Sequence, residues 1–452
     1  MDDWGGGHDG HGGHGSHGGH GGHGGHGGHG GHGGGHGGGH GGGGSGDGVT
    51  VRGANGQVIR LSYSDEDNRV LARDLAGQID NAIHGGMLIP ASDQNGPPPT
   101  VPGGKYGEFV QTRSGFLSLP SNYRVLVETA KTAVVFGSGA QQQIVLSGDQ
   151  SDLTFIDSKG SGTIVAGGDH NRLETNGGNW LLNTGHGDDV IAALSGGSNT
   201  VMAGGGRNAI RLGSGQNVVE SSGDDTVQAS GGAATIDASQ AKATVVYGGD
   251  ADLMFVGGRG GATIYGGSGS DTYFGAIDRS GKQVIHGGSD GNNLLFAGDG
   301  AATLFGGGAG DQLFAYGGSD QMLIAGSGNT TLDGAFGWGD NTFVSGEGDD
   351  LMVGGHGKDQ FVLGGGNDTV FATDGERDLF TVVNRHAGGD VLVENIYNAA
   401  DIRIQLVDYG RHEVYHALGS QTTDGSSVSI SLSDGTHITF DNITNLSRSN
   451  FT

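Results

Sequence analysis

The chain has 452 residues, 102 of them glycine and 6 proline, no cysteine, and a formal net charge of −27 at pH 7. Its length leaves room for several domains, but the glycines lack the strict three-residue register of collagen. The acidic balance argues against a nucleic-acid partner, which selects a basic face. The absence of cysteine leaves any extracellular role without disulfides, and no run of about eighteen apolar residues predicts a membrane span.

Residues 1–48 form a Gly/His-rich low-complexity tail. His8, His11, His14, His17, His20, His23, His26, His29 and His32 recur every third residue, and His36 and His40 follow at wider spacing. Nothing apolar is present to bury, so this tail is expected to be disordered in isolation. Dense neutral imidazoles can hold Zn²⁺, Cu²⁺ or Ni²⁺. A period of three with two glycines also suits an extended threefold helix packing chain to chain, and a flexible spacer is the third reading. No basic segment followed by an apolar stretch opens the chain, so no cleavable N-terminal secretion signal is expected.

Residues 49–135 read as a small N-terminal α+β cap with a Pro-rich linker. VTVRGANGQVIRLSY gives two short strands about the Asn55-Gly56 turn. Asp65 or Asp67 can then cap a helix running to about Ile83, with Val70, Leu71, Leu75, Ile79 and Ile83 as its apolar stripe. DQNGPPPTVPGG reads as a linker, and Tyr106–Phe136 as strands leading into the repeats. The expected role of the segment is to cover the exposed β-edge at one end of a repetitive rod.

Residues 136–384 carry the repeats. Early units such as VAGGDHNRLET are loose; GHGDDVIAA places Asp189, and SGDDTVQAS places Asp225. Of GGDADLMFV, GGRGGATIY and GGSGSDTYF, only the third has an aspartate at the sixth position, Asp271. Ala302, Gln312, Gln321, Thr330 and Asn341 follow at that place. From Ser345 the pattern sharpens into SGEGDDLMV, GGHGKDQFV and LGGGNDTVF, with Asp350, Asp359 and Asp368 at the sixth position and Met352, Phe361 and Val370 at the eighth. Glycine supplies the positive φ of a tight turn, and a short strand then turns its apolar residue inward. Paired glycines and an aspartate repeating every nine residues predict a parallel β-helix or β-roll. Two units make one coil, so residues about eighteen apart stack. This gives Asp350 over Asp368 and, with one slip, Asn341–Asp359–Asp378. Carboxylate and turn carbonyl oxygens there suit Ca²⁺, which takes six to eight oxygen ligands. The coils that lack the aspartate are expected to hold without metal. The repeats amount to ~13 to 14 coils, a rod of roughly 65 Å at the usual strand spacing.

Residues 385–452 lose glycine and gain alternation in DVLVENI, DIRIQLVDY and SSVSISLSDGTHITF, which predicts a C-terminal β cap with a hairpin turn at Asp434-Gly435. With this tail, the nonapeptides resemble the repeats-in-toxin (RTX) family of bacterial secreted calcium-binding proteins. The resemblance implies an uncleaved C-terminal signal for type I secretion, and folding outside the cell where calcium is plentiful. It also puts Asp271, Asp189 and Asp225 beside the C-terminal aspartates as metal candidates.

No HExxH motif and no Gly-rich loop ending in Lys-Ser or Lys-Thr is present. Gly287-Gly288-Ser289-Asp290-Gly291 matches G-x-S-x-G but lies inside a repeat rather than on a strand–turn–helix elbow. The pairs Asp349-Asp350 and Asp188-Asp189 invite comparison with glycosidases, yet neighbours on a strand face opposite ways. The expected protein is therefore an all-β, non-enzymatic, extracellular solenoid at a cell surface or in a biofilm matrix, self-associating into filaments or layers. The alternatives are a polysaccharide-active or accessory β-helix, or a cell-surface polysaccharide partner, and transition-metal sequestration by the histidine tail.

Overall fold

The structure, a computed structural model, describes residues 48–277, 279–373 and 376–452. The histidine repeat from His8 to His40, and the metal and packing roles expected of it, lie outside these residues.

The repeats wind into a parallel solenoid in which each coil gives one strand to each of two sheets. Sheet I starts at β3 (Leu88–Ser92) and passes through Tyr106–Gln111, Tyr123–Glu128 and Gln143–Ser147 to Asp390–Glu394. Sheet II has 16 strands, from Gly115–Ser118 to Arg403–Val407. Ala209 pairs with Thr226, Phe343 with Phe361, Tyr273 with Leu295 and Leu379 with Arg403, so the coil length ranges from 17 to 24 residues. The rod is thus longer than the 13 to 14 coils read from the repeats. The ladder already includes Tyr106–Gln111 and Thr132–Phe136 at one end and takes in Asp390–Glu394 and Arg403–Val407 at the other.

The interior is narrow and continuous. Met352, Phe361 and Val370, at the eighth position of their units, are fully buried. Phe343, Phe361 and Phe380 stack along the axis with centroids 5.2 and 5.5 Å apart. Each such side chain contributes about 1.5–3 kcal/mol by leaving water.

The N-terminal module forms as expected but sits elsewhere. β1 (Gly48–Arg52) and β2 (Val58–Ser62) pair antiparallel about a turn in which Asn55 and Gly56 take φ of 57° and 75°. α1 (Glu66–His84) is capped by the Asp65 carboxylate, which accepts the Asn68 N–H at 2.9 Å. Its buried stripe is Ala72, Leu75, Ala76 and Ile79. Val70 is exposed, a correction to the expected stripe, because it lies roughly 200° around the helix from Ala72. The module does not cover the end of the rod. It lies on the outer face of sheet I, where Val110, Val125, Val127, Leu146 and Val165 join its core.

The ends are closed by other means. Pro90 stands in edge strand β3, where a missing N–H blunts further pairing. The Pro-rich segment is a plug rather than a linker: Val101 joins the interior core, and the Tyr123 hydroxyl donates to the Pro99 carbonyl at 2.7 Å. At the C-terminus His437–Phe440 adds to Asp390–Glu394, then pairs antiparallel with Ser427–Ser431 through the Asp434-Gly435 turn. A helix, α2 (Glu413–Gly419), stands where only strands were expected and buries Ala417 in the core.

Candidate metal centre

In many coils the residue that precedes the inward-facing strand is polar, buried and pointed along the rod. Its side-chain oxygen accepts the backbone N–H of the equivalent residue one coil earlier. Before sheet II, Asn171 N donates to Asp189 Oδ1 (2.7 Å), Asp189 N to Asn208 Oδ1 (3.1 Å) and Asn208 N to Asp225 Oδ1 (3.0 Å). Further on, Asn341 N donates to Asp359 Oδ1 (2.9 Å) and Asp359 N to Asp378 Oδ1 (3.0 Å). Before sheet I the same ladder links Asp271 to Asn293, Asn293 to Asp311, Thr330 to Asp350 and Asp350 to Asp368 at 2.7–3.0 Å. The stacks Asp350–Asp368 and Asn341–Asp359–Asp378 are therefore formed. The fifth-position residues clasp in the opposite sense: Asp340 Oδ1 accepts the Lys358 N–H (2.9 Å) and Asp349 Oδ1 the Asn367 N–H (2.7 Å) of the next coil.

Amide and carboxylate rungs treat their turns differently. The Asn171, Asn293 and Asn341 NH₂ groups donate to the turn carbonyls of Gly168 (2.6 Å), Gly288 (2.7 Å) and Gly339 (3.0 Å). A carboxylate has no donor to give. Asp350 Oδ2 accepts Gly346 N–H (2.7 Å) and Asp359 Oδ2 accepts Gly355 N–H (2.8 Å). Asp368 Oδ2 accepts the Ser345 hydroxyl (2.8 Å), and Asp378 Oδ2 the Thr373 N–H (3.2 Å). An amide rung thus satisfies a turn carbonyl from within, and a carboxylate rung does not.

Neighbouring rungs decide which carboxylates need more. Asp189, Asp225 and Asp311 each accept an extra side-chain N–H, from Asn171 (3.0 Å), Asn208 (2.8 Å) and Asn293 (2.9 Å). In the two C-terminal stacks a carboxylate follows a carboxylate, and no side-chain amide reaches Asp368 or Asp378 from the rung before. Burial pushes Asp359 and Asp368 up to about 6 and Asp378 to about 7. The like charge of Asp359 adds to the rise at Asp378, and that of Asp350 to the rise at Asp368. Asp350 is raised as well, by burial first.

The residues fit a hard cation. A carboxylate has about four lone-pair sites, and protein donors take two of them here. The turns bring carbonyls into the same space: a Cβ added to Gly355 would lie 2.0 Å from Gly334 O and 2.7 Å from Gly337 O. One added to Gly364 would lie 2.1 Å from Gly346 O and 2.7 Å from Ser345 O. Only glycine lets the backbone of neighbouring coils approach this closely at these turns. Among the described residues no three His, Asp or Glu side chains converge, so a cation must draw on turn carbonyls as well as carboxylates, a donor set that suits Ca²⁺. Asp350 with Asp368 would hold one such cation and Asp359 with Asp378 another, with Asn341 one rung behind the second pair. When bound, each supplies the positive charge that two stacked buried carboxylates lack.

The structure separates the remaining candidates. Asp189 and Asp225 stand among amides, and Asp271 stands between Leu253 and Asn293. Asp189 Oδ2 and Asp271 Oδ2 are buried without a hydrogen-bond partner among the described residues. Asp311 is the rung the sequence reading passed over, because that reading placed Gln312 at the sixth position. It is fully buried, and its Oδ2 accepts the Gly307 N–H at 2.6 Å. The signal was available as GGGAGD, one residue out of the assumed phase.

A family model described as the RTX calcium-binding nonapeptide repeat matches residues 195–221, 287–322 and 336–370. The matched stretches contain Asp311, Asp350, Asp359 and Asp368; Asp378 and the three units at 248–274 lie outside them. No curated protein and no solved structure matches the chain. Repeats of this kind are typical of secreted proteins, and no helix among the described residues is long and apolar enough to cross a membrane. The chain carries RTX-type nonapeptide repeats, wound into a parallel β-solenoid.

Proposed function

We propose that this chain is a secreted structural rod, clamped by calcium in its C-terminal coils, that serves at a cell surface or in a biofilm matrix and associates with copies of itself. The observation that carries this reading is the pair of carboxylate stacks, Asp350–Asp368 and Asp359–Asp378, buried beside carbonyl-lined glycine turns. In low calcium the stacked charges oppose closure of these coils. In millimolar calcium, binding to the folded form alone adds to its stability. Export through a type I system, directed by the C-terminal segment, would place folding outside the cell.

A non-catalytic role is supported by how the acidic pairs divide. Asp350 and Asp189 are buried rungs, while Asp349 and Asp188 face solvent. The Ser289 hydroxyl faces its neighbour Asp290 at 3.3 Å. The test is far-UV circular dichroism and thermal melting of the full chain in millimolar Ca²⁺, in Mg²⁺ and in chelator. Calcium should raise the melting temperature and Mg²⁺ should not; identical melting in Ca²⁺ and chelator would overturn the reading.

A further inference from the structure

Every strand of a solenoid points alternate residues outward, and these form columns down each sheet. One column of sheet I can be followed through the register from Val110 through Val127, Leu146 and Val165 to Glu220 and Asp237. It continues through Val256, Phe274, Phe296 and Phe314 to Phe371. The chain treats its two apolar stretches differently. The first is covered by α1 and its hairpin, and Val110, Val127, Leu146 and Val165 are fully buried. Among the described residues nothing covers the second, where Phe274 is 39% exposed. Between Val256 and Phe371 this column holds a single charge, Asp333, and the adjacent column from Met254 to Thr369 holds none.

Sheet II repeats the pattern over the same coils. Its outward column runs from Tyr247 through Tyr265, His286 and Phe305 to Ile324 and Val362, with no Lys, Arg, Asp or Glu. In a chain of net charge −27, two opposite bare faces on the same segment of rod define a surface that other contacts must cover.

Ring geometry indicates what covers it. Tyr247, Tyr265, His286 and Phe305 lie parallel to within 9°, with centroids 4.3–5.4 Å apart. Phe274, Phe296 and Phe314 stack at 5.2 and 4.7 Å, within 16° of parallel. Stacked rings cover each other's faces and turn their edges outward. A sugar ring packs on an aromatic face, so this surface offers a polysaccharide little. Flat columns of ring edges and β-branched side chains instead suit another sheet packed at ~10 Å.

Resting on the structural reading above, we propose that rods of this chain pack side by side through the bare outer faces of both sheets, with a second copy of the same chain as the partner. Seven coils at a spacing of ~4.8 Å and two columns give a patch of roughly 450 Å². A pair would therefore bury about 1,000 Å² in all, at the lower edge of specific interfaces, and well beyond a scattered surface apolar residue. Both rod ends are blunted, by Pro90 at one and the terminal hairpin at the other, so growth is lateral. On sheet I the pair is antiparallel. A twofold axis near Phe314 carries the partner's α1 module beyond the C-terminal end, whereas a parallel pair would set module against module. One bare face gives dimers; two opposite faces give an open layer.

The experiment is sedimentation velocity of the full chain in millimolar Ca²⁺ over rising concentration, with circular dichroism on the same samples. The wild type should grow past the dimer. Phe274→Lys, or Tyr265→Lys, should stop at the dimer, and the double variant should stay monomeric with unchanged melting. If either ring substitution impairs folding, Thr272→Lys and Thr303→Lys place the charge in the neighbouring columns without removing a ring, and the same outcomes are expected. A wild type that folds with calcium yet stays monomeric at ~100 μM, the affinity range of so small an interface, would overturn the inference and leave the calcium reading intact, whether or not it binds a polysaccharide. Undiminished assembly of the double variants would overturn it equally.

Discussion

The coils around Asn171–Asn208 and those around Asp350–Asp378 share one ladder but complete it with different chemistry. In the first, side-chain amides accept from the previous coil and donate to a turn carbonyl or to the neighbouring aspartate, as Asn171 does to Gly168 O and Asp189 Oδ1. In the second, the carboxylates only accept, and two of them follow one another without an intervening amide. The NH₂ group of an amide rung does locally what a cation does for a carboxylate rung. The comparison explains how one rod can be metal-free along much of its length and calcium-dependent at one end, and each prediction below is a way to break it.

Replacing Asp359 and Asp368 together by Ala should have the largest effect. It strips acceptors from Asn341 N, Gly355 N, Asp350 N and the Ser345 hydroxyl, at about 1–3 kcal/mol for each buried group left unmade. If the C-terminal coils nucleate the rod, melting of the whole solenoid will fall; loss confined to the last coils would refute that order of folding. Phe361→Ala, in the centre of the interior stack, should cost about 3–5 kcal/mol in urea unfolding, with or without calcium. Asp359→Asn with Asp368→Asn should behave differently from the alanines. The new NH₂ groups can turn to the glycine carbonyls, giving a rod that melts alike in Ca²⁺ and chelator.

The pH dependence should change sign with calcium. The folded-state values of Asp359, Asp368 and Asp378, raised by burial to about 6, 6 and 7, lie above the unfolded carboxylate range near ~4. In chelator, their contribution is fully present below about pH 4 and is lost as pH rises through 6–7. Melting temperature should therefore fall between pH 5 and pH 8. In calcium the protons compete with the metal, so the calcium needed for half-stabilisation should increase as pH drops from 7.5 to 5.5. The smallest effect belongs to the module on the flank: Asp65→Ala should cost about 1 kcal/mol through the lost helix cap, with no change in calcium response.

Much of this was legible in the sequence because a nine-residue period fixes both which residue turns inward and which stacks on which. Met352, Phe361 and Val370 are interior, and Asp350 meets Asp368, as the spacing requires. Where the period drifts, the reading loses phase. The 22 residues between Asp271 and Asn293, the 19 between Asp311 and Thr330 and the 20 between Thr330 and Asp350 hid Asp311. The length of the rod was underread because its first coils replace glycine turns with longer connections such as the Pro-rich plug around Val101. The docking of α1 on the side of the rod could not be seen from the helix alone. It depends on Val110, Val127, Leu146 and Val165, spread over coils whose register is set by long-range pairing. Helix α2 hid in an alternating segment whose apolar residues also suit a strand.

The central claim, that carboxylate rungs need a cation and amide rungs do not, is tested most directly by hydrogen exchange resolved along the chain, in calcium and in chelator. Protection of the amides of Asn341, Asp350 and Asp359 should collapse when calcium is removed, while that of Asn171, Asp189 and Asn208 should change little in the moments before global unfolding. Equal loss of protection in both regions, or none in either, would contradict the account.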